Sequence, residues 1–123
     1  MQTQAPIPVA RLTLDIKKRR LRIPSKTFQL IENPKYFRLL VNPCSMGLVI
    51  EECSECTKGA YQLSKVPQHH RCYEMTSKSL VHEIMLCAGI TSTNTIRLEG
   101  RCIRGQNAIF FRLMSGASSE KEG

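Results

Sequence analysis

The sequence predicts a mainly β protein with two short helices, an α+β chain built as two tandem strand–helix–hairpin half-units related by a pseudo-twofold. Three observations carry this. Apolar and polar residues alternate in several short runs, Leu12-x-Leu14-x-Ile16 first among them, as half-buried strands require. Only two stretches change to helical spacing, one after Pro24 and one after Thr76. These two stretches also read alike. "RIPSKTFQLI" and "EMTSKSLVHEI" both place Ser-Lys-Ser/Thr ahead of an apolar residue, with Ser25 and Ser77 lying 52 residues apart.

In chain order, "RLTLDIKKRRLRIP" holds two alternating runs of opposite parity, Leu12, Leu14 and Ile16 and then Leu21 and Ile23. The cations Lys17 to Arg20 interrupt them, so the simplest reading is a hairpin with a charged tip, without the glycine or asparagine that eases a tight turn. Pro24 ends the second strand, and Ser25 is placed to cap a helix of about two turns through Phe28 and Ile31. Asn33-Pro34 stops it, because proline disfavours helical geometry in the residue before it. "KYFRLLVNPCSMGLVIEE" reads as strand, turn, strand, with Phe37, Leu39 and Val41 on one face and the turn at Asn42-Pro43 to Gly47. "CSECTKG" reads as a loop, "AYQLSKV" as a strand and "PQHH" as a second loop. "RCYEM" is then a short strand. Thr76 or Ser77 caps a helix carrying Leu80, Ile84 and Cys87 at i, i+4, i+7, and Gly89 closes it. "TIRLEGRCI" and "AIFFRL" are strands around the turn "RGQN". The resulting division is an extended arm (1–10), a first half-unit (11–52), a connecting loop and strand (53–70), a second half-unit (71–114) and a disordered polar tail (115–123).

Bulk properties bound the function. At 123 residues with 41% hydrophobic content, the chain suits one domain or two intertwined halves and is too apolar for a disordered protein. The longest apolar stretch, about Ile84 to Ile90, falls far short of the ~20 residues that span a bilayer. "MQTQAPIPVA" lacks a basic start and a long apolar run, so a cytoplasmic protein is expected. Its six cysteines are then expected as reduced thiols.

The formal charge is +8, and seven of the 18 Lys and Arg residues fall between Arg11 and Lys26, against Asp15 alone. A basic cluster on one short segment is the footprint of an anionic partner, nucleic acid first. Arginines at a hairpin tip can enter a major groove and fork onto guanine while lysines hold phosphates. Stacking on single strands is disfavoured, since aromatics make up 6% of the chain and tryptophan is absent.

The run Asp15-Ile-Lys-Lys-Arg-Arg-Leu-Arg-Ile-Pro24 followed by "SKTFQLI" resembles the swapped-hairpin DNA-binding superfamily of AbrB and MraZ. That resemblance rests on an acidic residue, a basic turn, an apolar-x-apolar-Pro strand, a short helix and a hairpin, and it covers residues 11–52. The second half matches in layout only. The turn glycine is absent, with Arg19 near its place, and Thr76 stands where the first half has Pro24. The resemblance implies a transcriptional regulator that pairs as a homo-oligomer, interleaves its hairpins and presents basic loops to duplex DNA. Carried over by position, the DNA contacts are Lys17, Lys18, Arg19, Arg20, Arg22 and Lys26.

Cys53-x-x-Cys56 followed by His69, His70 and Cys72 is the other patterned group, with a spacing that approaches that of a zinc site. The expectation is nevertheless free thiols and surface histidines. No paired carboxylates, phosphate-binding glycine loop or nucleophile with an adjacent base is visible, so the chain is expected to act without catalysis, cofactor, small-molecule substrate or membrane. The alternative to DNA binding is a non-catalytic protein-interaction or structural module, zinc-stapled if the Cys/His group closes.

Overall fold

Alternation in the first run becomes a hairpin. The computed structural model of the chain describes residues 8–113; the expected arm as far as Ile7 and the expected polar tail lie outside the described residues. β1 (Ala10–Asp15) and β2 (Arg20–Pro24) pair antiparallel with Leu14 opposite Leu21. Leu12, Leu14, Ile16, Leu21 and Ile23 are all 0–1% exposed, so both parities point to one core. The turn manages without glycine. The Asp15 carboxylate accepts from the Lys18 N–H at 3.2 Å, the Arg19 N–H donates to the Ile16 carbonyl at 3.1 Å, and Arg19 itself takes φ 53°.

α1 (Ser25–Gln29) follows directly, shorter than the two turns expected. Here the expected cap is corrected. Ser25 is the first helical residue and its side chain caps nothing, because Pro24 occupies the capping position while still paired in the sheet with Cys72. The Ser25 N–H donates instead to the Arg71 carbonyl. Thr27, 2% exposed, ties the helix to β1 by donating to the Arg11 carbonyl and accepting from the Arg11 N–H. Phe28 fills the space beneath, with ring centroids 4.8 Å from Phe37 and 5.1 Å from Tyr73. Burying such a ring contributes about 2–3 kcal/mol.

β3 (Tyr36–Asn42) and β4 (Gly47–Glu52) form the expected hairpin, its turn held by the Asn42 side-chain oxygen accepting from the N–H groups of Cys44 and Ser45. The next segment departs from expectation. "AYQLSKV" contributes only the two-residue β5 (Tyr61–Gln62), then a single 3-10 turn at Leu63–Lys65, because the chain must leave β3 to bury Leu63. "PQHH", expected as loop, supplies β6 (Gln68–His69). β7 (Cys72–Thr76) leads into α2 (Lys78–Ala88). Ser77, and not Thr76, is its cap, accepting from the Leu80 N–H, and Gly89 ends it at φ 67°. The helix buries Val81 and Ile84, with Leu80 and Cys87 only partly covered, so the inward stripe is turned from the Leu80–Ile84–Cys87 line expected. β8 (Thr95–Cys102) and β9 (Ala108–Arg112) complete the chain.

The strands form a single curled antiparallel sheet in the order β5-β3-β4-β9-β8-β1-β2-β7-β6. Strands from the two halves alternate in space. β2 pairs with β7, β4 with β9, and β1 with β8. The two strands at the ends of the sheet, β5 and β6, belong to one continuous segment. No helix among the described residues is long and apolar enough to cross a membrane.

Candidate nucleic-acid interface

The hairpin turn places Lys17 and Lys18 in solvent, both exposed and free of any carboxylate partner among the described residues. The other expected contacts are less available. Arg19 is half-buried, its guanidinium against the Met85 sulfur of α2. Arg20 and Arg22 stand on the outer face of β2, between β1 and β7. Arg20 lies 3.5 Å from both Asp15 and Glu74, and Arg22 lies 3.3 Å from Glu74. The Nε atoms of both arginines are shielded from solvent without a well-formed hydrogen bond. Lys26 is exposed on α1, at the end of β2 remote from the turn, beside a cavity of about 320 Å³ lined by Pro8, Val9, Arg11, Pro24, Thr27 and Leu30 as well. The structure therefore brings Lys17 to Arg22 together along one hairpin and leaves Lys26 apart.

Sequence reasoning missed the neighbour on the other side of β1. There β8 pairs residue by residue, Thr13 opposite Arg97 and Arg11 opposite Glu99. Leu98 and Gly100 face inward and are buried, so Arg97, Glu99 and Arg101 face out and are exposed. On β9 the exposed Arg112 lies between buried Phe111 and Leu113. The alternation in "TIRLEGRCI" was the available signal for this outward row. That the row borders the first hairpin was not in the sequence.

The carboxylates of this outer face are already engaged. Glu99 pairs with Arg11 at 3.1 Å, Glu51 with Arg38, Asp15 with Arg20, and Glu74 with both Arg20 and Arg22. Among the described residues, Arg97, Arg101 and Arg112 have no carboxylate partner.

The Cys/His group does not close into a metal site: no group of three or more His, Cys, Asp or Glu side chains among the described residues is placed to hold an ion. The Cys53 N–H donates to Tyr36, at the start of β3, whereas His69 and Cys72 oppose each other across β6 and β7. All six cysteines are free thiols. His82 is exposed on α2.

Comparison with known proteins returned no matching family model, no matching curated protein and no matching solved structure.

Proposed function

We propose that this protein binds duplex DNA through the β1–β2 hairpin and acts as a regulator of the swapped-hairpin type. The observation that carries the reading is the tip itself. Lys17 and Lys18 are exposed in the turn that joins β1 and β2, beyond the last residues paired to β8 and β7, with no carboxylate of the described residues to neutralise them, and unpaired ammonium groups so placed can meet backbone phosphates. Arg20 and Arg22 flank the tip, already held in a fixed geometry by Asp15 and Glu74.

The duplicated architecture belongs to the same proposal. Its support is the set of like-with-like pairings: the strand before each helix pairs with its counterpart (β2 with β7), and so does the last strand of each half (β4 with β9). In this scheme β1 corresponds to the broken segment of β5 and β6. β1 lies between β2 and β8, and the broken segment touches β7 and β3. A homo-oligomer would then present one basic tip per chain.

The test is an anisotropy titration with labelled duplex DNA over about 50–200 mM salt. Neutralising each phosphate contact contributes about 0.9 to the slope of log affinity against log salt. Lys17→Ala with Lys18→Ala should flatten the slope by about 2 and weaken binding about equally on all sequences. Unchanged affinity and slope would remove the tip from the interface.

A further inference from the structure

We infer that the second half supplies a separate set of phosphate contacts, the outward arginines Arg97, Arg101 and Arg112 of the β8–β9 hairpin, and that one DNA duplex lies across β8 from the lysine tip to these residues. The inference rests on the duplex-DNA reading and extends it to a surface that the charge distribution along the chain does not suggest.

By count along the chain, the positive charge is concentrated between Arg11 and Lys26. In the folded sheet, most arginines of that segment are engaged. Arg11, Arg20 and Arg22 neutralise Glu99, Asp15 and Glu74, and Arg19 packs on Met85. Among the arginines projecting from this face of the sheet, those left without a carboxylate among the described residues all come from the second half. A guanidinium that need not first break an ion pair can contact phosphate without that cost, and its planar fork suits phosphate oxygens better than an ammonium does.

Geometry gathers these three into one patch. Arg97 and Arg101 are four residues apart on β8, about 13 Å at strand rise. The pairing of Gly100 with Phe111 sets Arg112 on the adjacent strand at the level of Glu99, between them. By strand rise and spacing Arg112 lies about 8 Å from each of Arg97 and Arg101, near two backbone rises of one DNA strand at about 3.4 Å each. The carboxylate at its centre, Glu99, is held by Arg11. Arg97 also lies in one row with Thr13 and Arg22 across β1, and Asp15, at the base of the lysine turn, opposes Thr95. The patch and the tip are thus continuous along β8.

The experiment is the same salt titration on the full chain with Arg97→Ala, Arg101→Ala and Arg112→Ala combined. All three side chains are exposed, so the variant should keep the wild-type melting temperature. We expect the slope to fall by about 2–3 and affinity at about 0.1 M salt to fall at least tenfold. Should the combined variant misfold, single Arg97→Gln, predicted to lower the slope by about 0.9, gives the same decision. Charge-preserving Arg97→Lys should retain the slope. The inference is overturned if the folded arginine variants bind as wild type while Lys17→Ala with Lys18→Ala weakens binding. If wild-type protein shows no salt-dependent binding to the duplex, the DNA reading itself fails, and this inference with it.

Discussion

Ser25 and Ser77 occupy matching places in two similar stretches, yet only one of them caps a helix. Ser77 has extended backbone at φ −152° and its oxygen reaches the Leu80 N–H, whereas Ser25 lies inside the first helical turn with no capping bond. Pro24 makes the difference, since its fixed φ of −58° already stands at the capping position. Ser77→Ala should therefore cost about 1 kcal/mol, read as a melting shift of about 3–5 °C, and Ser25→Ala should stay within about 0.5 kcal/mol. Equal losses at the two sites would refute this difference in role. Two glycines invite a similar comparison. A methyl on Gly100 would meet the Phe111 ring at 2.6 Å and the Phe110 carbonyl at 2.7 Å, and Phe111 is fully buried. Gly100→Ala should cost about 1–3 kcal/mol, measured by urea unfolding. The nearest atoms that a methyl on Gly47 would meet belong to the ring of Phe110, a half-buried side chain and not backbone, so that change should cost less.

At the scale of elements, period-two patterning was the most legible signal. It placed β1, β2, β3, β4, β7, β8 and β9, because each has one face against the core and one toward solvent. It failed between Gly59 and His69. There "AYQLSKV" has strand composition, but the chain spends only Tyr61 and Gln62 beside β3 before turning. The pull that breaks the strand is tertiary: Leu63 is 7% exposed and its N–H donates to the Lys35 carbonyl. Helix α2 shows a finer version of the same limit. Its existence and its end followed from the apolar spacing and Gly89, and its start was narrowed to Thr76 or Ser77, of which Ser77 is the cap. The face it buries did not, since Leu80 and Val81 are adjacent on the helix and packing against the curled sheet chose Val81.

At the scale of the whole molecule, the two halves are interleaved by pairing. β1 and β2 of the first half pair with β8 and β7 of the second, and β4 pairs with β9. Neither half retains a complete sheet without the other, so unfolding should be one cooperative transition. Far-UV circular dichroism and tyrosine fluorescence from Tyr36, Tyr61 and Tyr73 should give coincident urea curves. Separate midpoints would mean that the halves are independent units. The interleaving also governs the candidate interface. It sets Glu74 of the second half against Arg20 and Arg22 of the first, and brings Arg97 within two strands of Arg22. Charge counted along the chain credited the first half alone.

The sequence by itself determined which residues turn inward along the long strands, that two helices follow Pro24 and Thr76, and that a short basic segment forms a hairpin tip. These are local consequences of side-chain alternation, proline geometry and the cost of burying charge. Only the tertiary structure decided which cations remain free. Ion pairing depends on which strands become neighbours, and those neighbours come from opposite ends of the chain: Arg11 meets Glu99 and Arg22 meets Glu74. Period two could assign Arg97, Arg101 and Arg112 to an outward face, but only the order of strands in the sheet could place that face beside Lys17 and Lys18.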